Sequence, residues 1–163
     1  MKRVLLLYSL LLSVGSFAQV DITKAFDFWV GTWEAIWKDP DGNLVKGENV
    51  ITKTCDGKVI MEQFSDSTNH FFGNSISVYS PADSSWHQTW ADNQGSYINL
   101  VGYMDGDVRV FQTNPVKVED KVLIKRMLFY NISENSFKWD WEVSIDGGET
   151  WNLRWEILYT RKK

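Results

Sequence analysis

The sequence contains one cysteine, Cys55, among its 163 residues. A single thiol cannot form an intramolecular disulfide, so the stability of the fold must come from its core. Both histidines lie far from Cys55 along the chain, and no neighbouring residue would stabilise a thiolate. We therefore expect Cys55 to be a small buried hydrophobe rather than a nucleophile.

An excess of basic residues is also lacking, because 17 lysines and arginines stand against 21 aspartates and glutamates, for a formal net charge of −4. Binding to a nucleic-acid backbone needs a stripe of positive charge. The charges of this chain are spread along its length, which argues against such a stripe. We expect no nucleic-acid partner.

Long apolar runs are absent apart from one near residue 1. Two basic residues precede an apolar run from Val4 to Val14, and the segment 16–18, Ser-Phe-Ala, has the small-x-small pattern of a cleavage site. The run is about eleven residues long, too short for a membrane-spanning helix, which needs roughly twenty. We expect residues 1–18 to be a signal peptide, the mature chain to be secreted or periplasmic, and no stable membrane anchor.

Turn signals interrupt the rest of the chain at short intervals, and the runs between them are rich in Val, Ile, Thr, Tyr, Phe and Trp. This spacing is typical of an antiparallel meander. Segment 19–163 is therefore expected to be a single all-β domain, an antiparallel up-and-down β-barrel of about 8–10 strands with a short N-terminal helical turn. The predicted strands are 32–38, 44–54, 58–65, 74–80, 86–91, 96–104, 107–113, 121–130, 137–144 and 151–160.

The chain has nine tryptophans, and strand alternation gathers most of them on common faces. Successive residues of a strand point to opposite sides of the sheet. We expect these faces to point into the barrel and to make its interior aromatic. The inward residues are predicted to be Trp33, Ala35 and Trp37, then Phe137, Trp139, Trp141 and Val143, and in the last strand Trp151, Leu153, Trp155, Ile157 and Tyr159.

Two charged residues alternate with these apolar faces. Glu62 shares a face with Ile60 and Phe64, and Arg126 shares one with Val122, Ile124, Leu128 and Tyr130, which would leave Lys121 and Lys125 outside. An unpaired charge inside the barrel would be costly. The two residues would form a buried ion pair or a polar spot satisfied by water, or else they would provide a ligand anchor or an acid with a raised pKa. Another mixed face holds Trp86, Gln88, Trp90 and Asp92.

The stretch SIDGGETW, residues 144–151, has the spelling of the Asp-box found in sialidases. Asp146 can accept hydrogen bonds from the loop, and Gly147 and Gly148 permit positive φ angles. A sialidase needs a propeller of several hundred residues and an arginine cluster, which this chain cannot supply. We interpret the stretch as a hairpin turn.

The segment Phe28-Trp29-Val30-Gly31-Thr32-Trp33 resembles the start of calycin barrels, the lipocalins and fatty-acid-binding proteins. In those barrels the tryptophan of Gly-x-Trp closes one end, often beneath an arginine from the end of the chain. The resemblance implies a cation–π contact on Trp33, with Arg154 and Arg161 as the candidates. One departure is that a hairpin, not two helices, follows the first strand.

A wider resemblance covers most of the chain through FDFWVGTWEA, the segment 57–62, WHQTWADNQG, and WEVSIDGGETW with YTRK. These stretches look like a family of small exported bacterial proteins with a lipocalin-like domain of unknown function. The resemblance implies a lipocalin-like barrel and brings no catalytic residues. Nitrobindin-like haem barrels hold their iron with a histidine near the C-terminus. They are less similar to this chain, because no histidine follows His87 here. We expect His70 and His87 to lie at the surface, and we expect neither a metal site nor a cofactor.

These features favour an exported barrel that binds a small, apolar or amphipathic and possibly acidic molecule. The alternative is a cofactor-free enzyme of the lyase, isomerase or hydrolase type, with Glu62 or Asp92 as acid or base and Arg126 stabilising negative charge. An interaction module, or a packed barrel without a cavity, is the third class, and the oligomeric state stays open. The predicted ligand-binding residues are Trp37, Glu62, Gln88, Trp90, Arg126, Trp139, Trp141 and Trp155.

Overall fold

The computed structural model describes residues 21–163, so the predicted signal peptide 1–18 lies outside the described residues. Two short 3-10 helices, Ile22–Lys24 and Asp27–Trp29, precede eleven β-strands. None of the helices in the described range is long and apolar enough to cross a bilayer. The strands are β1 Gly31–Lys38, β2 Leu44–Thr54, β3 Val59–Asp66, β4 Phe71–Ser80, β5 Ser85–Asp92, β6 Tyr97–Asp105, β7 Val108–Gln112, β8 Val116–Val118, β9 Lys121–Tyr130, β10 Ser136–Ser144 and β11 Asn152–Arg161.

Ten of these strands form a closed antiparallel barrel. Strands β1 to β7 pair in sequence order, β7 pairs with β9, β9 with β10, β10 with β11, and β11 returns to β1. Closure leaves the barrel without a free edge. The short strand β8, which the sequence did not predict, pairs with β9 in a separate sheet. The predicted fold class is confirmed: an all-β up-and-down barrel with a short helical turn before β1.

One end of the barrel is closed by the 3-10 segment and a set of buried aromatic rings that we call the aromatic plug. The ring of Phe26 stacks on Phe111 with centroids 4.3 Å apart and meets Trp86 edge-on at 5.2 Å. Burying one such side chain contributes about 1.5–3 kcal/mol to stability. The plug therefore gives this end a packed core rather than a cavity. Its members are Phe26, Trp29, Trp33, Trp86, Phe111, Phe129 and Phe137.

Arg161, near the end of the chain, holds the aromatic plug in place. Its guanidinium lies 4.0 Å from the ring centroid of Trp33 and donates to the carbonyl of Val30 at 2.9 Å. Gly31 has a φ of 144°, and a Cβ there would lie 2.0 Å from Arg161 Nη1. The glycine of Gly-x-Trp thus leaves room for the arginine. The predicted cation–π contact is confirmed, and Arg161, not Arg154, makes it.

The inward predictions for Trp151 and Leu153, at the start of the last predicted strand, are wrong. Trp141 pairs with Trp155, but Glu142 pairs with Leu153, so Arg154 is an extra residue that forms a β-bulge. The bulge reverses the alternation of β11, and Leu153 is 53% exposed instead of facing inward. Trp151 lies on the outer face, where the Arg126 guanidinium stacks on it at 3.7 Å. In contrast, Trp33, Ala35 and Trp37 are buried as predicted.

The expectation for Cys55 is also wrong, since its side chain is exposed. Cys55 and Asp56 both have positive φ angles, 51° and 55°, in the tight turn between β2 and β3. A turn of this kind lies at the surface, so its residues cannot reach the core.

Candidate functional site

A cavity of about 300 Å³ occupies the barrel beyond the aromatic plug. Phe137, at the boundary, stacks on Tyr159 with ring centroids 4.6 Å apart. The cavity is mostly apolar, with a few polar groups, which is the usual character of a small-molecule site. Its lining consists of Glu62, Phe64, Phe71, Trp90, Asp92, Gln94, Ser96, Ile98, Lys125, Met127, Trp139, Trp141, Trp155, Ile157 and Tyr159.

Indole rings form much of the wall. Trp139 and Trp141 are nearly parallel, with centroids 6.4 Å apart, because they are separated by two positions on β10 and point the same way. Trp155 from β11 meets Trp139 edge-on at 5.6 Å. Across the cavity, Trp90 lies over Gly73, where a Cβ would come within 2.0 Å of its ring. The absence of a side chain at Gly73 thus sets the position of Trp90.

Glu62 lies at the inner end of the cavity and is only 6% exposed. Asn49 Nδ2 donates to its Oε1 at 2.7 Å, and Ser75 Oγ donates to its Oε2 at 2.6 Å. Asn49 Nδ2 also lies 3.4 Å from the hydroxyl of Tyr159. We call Asn49, Glu62, Ser75 and Tyr159 the polar floor. The prediction that Glu62 points inward is confirmed.

Burial raises the pKa of Glu62 to about 7, although the hydrogen bonds from Ser75 and Asn49 favour its ionised form. Within residues 21–163, the carboxyl forms no ion pair that would offset its desolvation. Burial and the nearby Glu62 carboxylate raise the pKa of Tyr159, which therefore keeps its proton. The floor thus holds one group, Glu62, that can gain or lose a proton near neutral pH.

Asp92 also lines the cavity, but its carboxylate oxygens are occupied. Trp90 Nε1 donates to Oδ2 at 2.9 Å, and the backbone N–H groups of Gln94 and Ser96 both donate to Oδ1 at 3.0 Å. Partial burial works against ionisation, but these hydrogen bonds outweigh it and hold the pKa of Asp92 below its usual value. Asp92 therefore fixes Trp90 and the β5–β6 turn, and it is a weak base.

Two further predicted site residues lie beside the cavity rather than in its lining. Gln88 is buried and donates to Ser77 Oγ at 3.0 Å and to Ser75 Oγ at 3.3 Å. It therefore helps to hold Ser75, a member of the polar floor, in position. Trp37 packs edge-on against Trp155 at 5.2 Å and faces a second, shallower concavity at the barrel rim. Both residues hold other parts of the site in place.

The inward prediction for Arg126 is wrong. Its side chain lies on the outer face of β9, where Nη2 is 2.6 Å from Glu142 Oε2 and the guanidinium covers Trp151. The adjacent Lys125, predicted to face outward, lines the cavity. Arg126 and Glu62 therefore form neither an ion pair nor a common anchor. Lys125 is the cation that the sequence reasoning missed.

Among the remaining members of the polar floor, Asn49 carries the same sequence signal as Glu62. Asn49 lies on the inward face of β2 between Val45 and Ile51, all buried, so a polar residue again interrupts an apolar alternation. Ser75 gives no such signal, because its inward neighbours on β4 are Gly73 and Ser77, whereas the apolar residues Phe72, Ile76 and Val78 of the same strand are exposed. The polar floor could therefore be predicted only in part from the alternation.

The stretch 144–151 forms the loop between β10 and β11, as predicted. Asp146 accepts hydrogen bonds from the backbone N–H of Thr150 at 3.0 Å, from the Thr150 hydroxyl, and from Ser144 Oγ at 2.6 Å. Its neighbours come from this loop and from Val122, since Gly147 N–H donates to the Val122 carbonyl at 3.0 Å. Asp146 thus closes a turn on the outside of the barrel.

The two histidines lie away from the cavity lining. His87 Nε2 is 2.7 Å from Asp83 Oδ2 at the β4–β5 turn, and His70 has a positive φ of 51°. In the described part of the chain, histidine, cysteine and carboxylate side chains form no group of three that could hold a metal ion.

No family model matches the chain, and no curated protein matches its sequence. The fold and the cavity by themselves define a class: a closed ten-stranded antiparallel barrel, consistent with a lipocalin-like fold, with an aromatic interior compatible with small-molecule binding.

Proposed function

We propose that this chain is an exported lipocalin-like protein that binds a small, largely apolar molecule inside its barrel. The observation that carries the proposal is the cavity beyond the aromatic plug, walled by Trp90, Trp139, Trp141 and Trp155. Indole rings that pack against one another and still line an open cavity give it a rigid aromatic wall, which suits an apolar or aromatic ligand. The expected occupants are ligands with a rigid apolar body.

The dimensions of the cavity favour a compact ligand. Its volume of about 300 Å³ lies at the lower end of the range of small-molecule pockets, about 300–1,000 Å³. A molecule with one or two rings would fill it, whereas a long lipid would extend beyond the rim. Asp92 and Lys125 are only partly buried and would meet the outer part of such a ligand.

Export is part of this proposal and is supported by the basic, apolar and small-residue pattern of residues 1–18. N-terminal sequencing of protein recovered from the periplasm or the culture medium should begin near Gln19. A product that retains Met1 and sediments with membranes would contradict export without bearing on the cavity.

A pair of substitutions at neighbouring positions tests ligand binding. Ile98 lines the cavity, while Asn99 is exposed on the outer face of the same strand. Ile98→Trp should fill the cavity and abolish binding of compact aromatic ligands in calorimetric titrations. Asn99→Trp adds the same side chain outside and should bind like the wild type. Equal binding by both variants would place the ligand elsewhere.

Catalysis without a cofactor is a second candidate function, favoured by the raised pKa of the buried Glu62. A carboxyl group that titrates near neutral pH suits general acid–base chemistry. Asp92 is less suited, since its oxygens already accept three hydrogen bonds. If a turnover is found, Glu62→Gln should lower kcat by about 100-fold or more while leaving substrate binding intact. An unchanged kcat would remove Glu62 from the mechanism.

A further inference from the structure

The carboxyl group of Glu62 is a buried, ionisable group that faces the cavity. Asn49 and Ser75 each donate one hydrogen bond to it. An ionised carboxylate has about four acceptor positions, so about two are left for a ligand. No lysine, arginine or histidine within residues 21–163 forms an ion pair with Glu62.

The other groups that face Glu62 or share its cavity do not neutralise it. Asn49 on β2 and Ser75 on β4 are uncharged, and Tyr159 on β11 keeps its proton because burial and the Glu62 carboxylate raise its pKa. Asp92 on β5 and Lys125 on β9 line the same cavity, are of opposite sign and are less buried than Glu62. Water screens partly exposed charges such as these, so Glu62, which is buried, is the group that selects a ligand by its charge.

We propose that the cavity selects a compact protonated amine whose ammonium group binds Glu62 while its apolar body lies against the indole rings. This inference rests on the cavity being a ligand site. An ammonium group would supply both hydrogen bonds and the opposite charge that a buried carboxylate needs. The faces of Trp139, Trp141 and Trp155 would also favour a cation over a neutral group of the same shape.

Binding of the amine includes a proton step. Burial raises the pKa of Glu62 to about 7, so near that pH about half of the empty molecules carry the proton on this carboxyl. When the ammonium ion binds, Glu62 gives that proton to the solvent and becomes the carboxylate of an ion pair. The ammonium keeps its own proton, because simple alkylammonium ions, like the lysine side chain with its pKa of about 10.4, lose their proton only well above pH 8.

Calorimetric titrations of the wild-type protein test this with three probes of similar size: phenethylamine, phenethyl alcohol and phenylacetate. The ionised fraction of Glu62 rises from about one tenth at pH 6 to about nine tenths at pH 8, so affinity for phenethylamine should rise about tenfold. Affinity for the alcohol should stay constant. In buffers of different ionisation enthalpy, binding of the amine at pH 7 should release about half a proton.

Two variants assign the effect to one side chain. Glu62→Gln should remove both the preference for the amine over the alcohol and the pH dependence. Glu149→Gln changes an exposed glutamate of the β10–β11 loop and should retain both. The wild-type pH series needs no variant, so the test stands even if Glu62→Gln folds poorly.

Each contrary outcome has a distinct meaning. If the wild type binds the amine and the alcohol equally at both pH values, the amine proposal is overturned and ligand binding stands. If phenylacetate binds best and weakens as the pH rises, Glu62 acts as a protonated hydrogen-bond donor to acids, which also overturns the amine proposal. If no probe binds at either pH, the amine proposal is overturned and the proposed function loses its support as well.

Discussion

The buried carboxyl group of Glu62 should make the stability of the protein depend on pH. Its pKa is raised from 4.5 to about 7 in the folded state. The folded protein therefore holds this proton more tightly than the unfolded chain. The protonated Glu62 carboxyl therefore stabilises the folded protein. This contribution is fully present below about pH 4.5 and is lost progressively as the pH rises to about 7. A shift of about 2.5 pKa units corresponds to about 3 kcal/mol.

Glu62→Gln isolates this contribution, because glutamine keeps the shape of the side chain and cannot ionise. Its amide oxygen can accept from Asn49 Nδ2, and its NH₂ group can donate to Ser75 Oγ, which has a free lone pair. Relative to that of the wild type, the free energy of unfolding of the variant should increase by about 3 kcal/mol between pH 4.5 and pH 8. The two proteins should unfold most similarly at the acidic end of this range.

Urea unfolding at several pH values from 4.5 to 8, followed by tryptophan fluorescence, measures the difference. Glu149→Gln, at an exposed site, should track the wild type throughout. If the free energies of unfolding of Glu62→Gln and the wild type differ by the same amount at every pH, Glu62 has an ordinary pKa. That result would refute the claim that the polar floor holds an uncompensated carboxyl group.

Three further outcomes follow from packing. Gly31→Ala should lower the free energy of unfolding by about 2 kcal/mol or more, measured in urea, because its Cβ would displace the Arg161 guanidinium. Asp146→Ala should lower the midpoint of thermal unfolding and leave ligand affinity unchanged. A loss of binding without a loss of stability would instead indicate that residues 144–151 belong to a sugar-binding site, as the resemblance to the Asp-box of sialidases would suggest. Arg126→Gln should leave the affinity for acids and amines unchanged in titrations, since its side chain contacts Glu142 and Trp151 outside the barrel.

The sequence predicted the barrel well because alternation is reliable where one face of a strand is buried and the other meets water. β1 is the clearest case, with Trp33, Ala35 and Trp37 buried and Lys38 exposed. The short strand β8 escaped prediction because its three residues, 116–118, are all exposed and show no alternation.

The site was harder to predict because alternation fails where both faces of a strand are covered. On β9 the inward residues include Lys125 and Met127, but the outer face is covered too: Ile124 is 5% exposed beneath the 144–151 loop. With apolar residues on both faces, the pattern could not separate Lys125 from Arg126. On β11 the bulge at Arg154 inverted the remaining alternation, and no residue type marks that position as a bulge.

The most direct test of ligand binding in the barrel uses the nine tryptophans as reporters. Each indole N–H gives its own signal in a nitrogen–proton NMR spectrum, and single Trp→Phe variants assign the signals. On titration with compact aromatic amines, acids and neutral molecules, we expect the signals of Trp90, Trp139, Trp141 and Trp155 to shift together. The signals of Trp29, Trp33 and Trp86 in the plug should stay in place. Shifts confined to the plug or to Trp151, or none with any class of probe, would contradict a ligand site in this cavity.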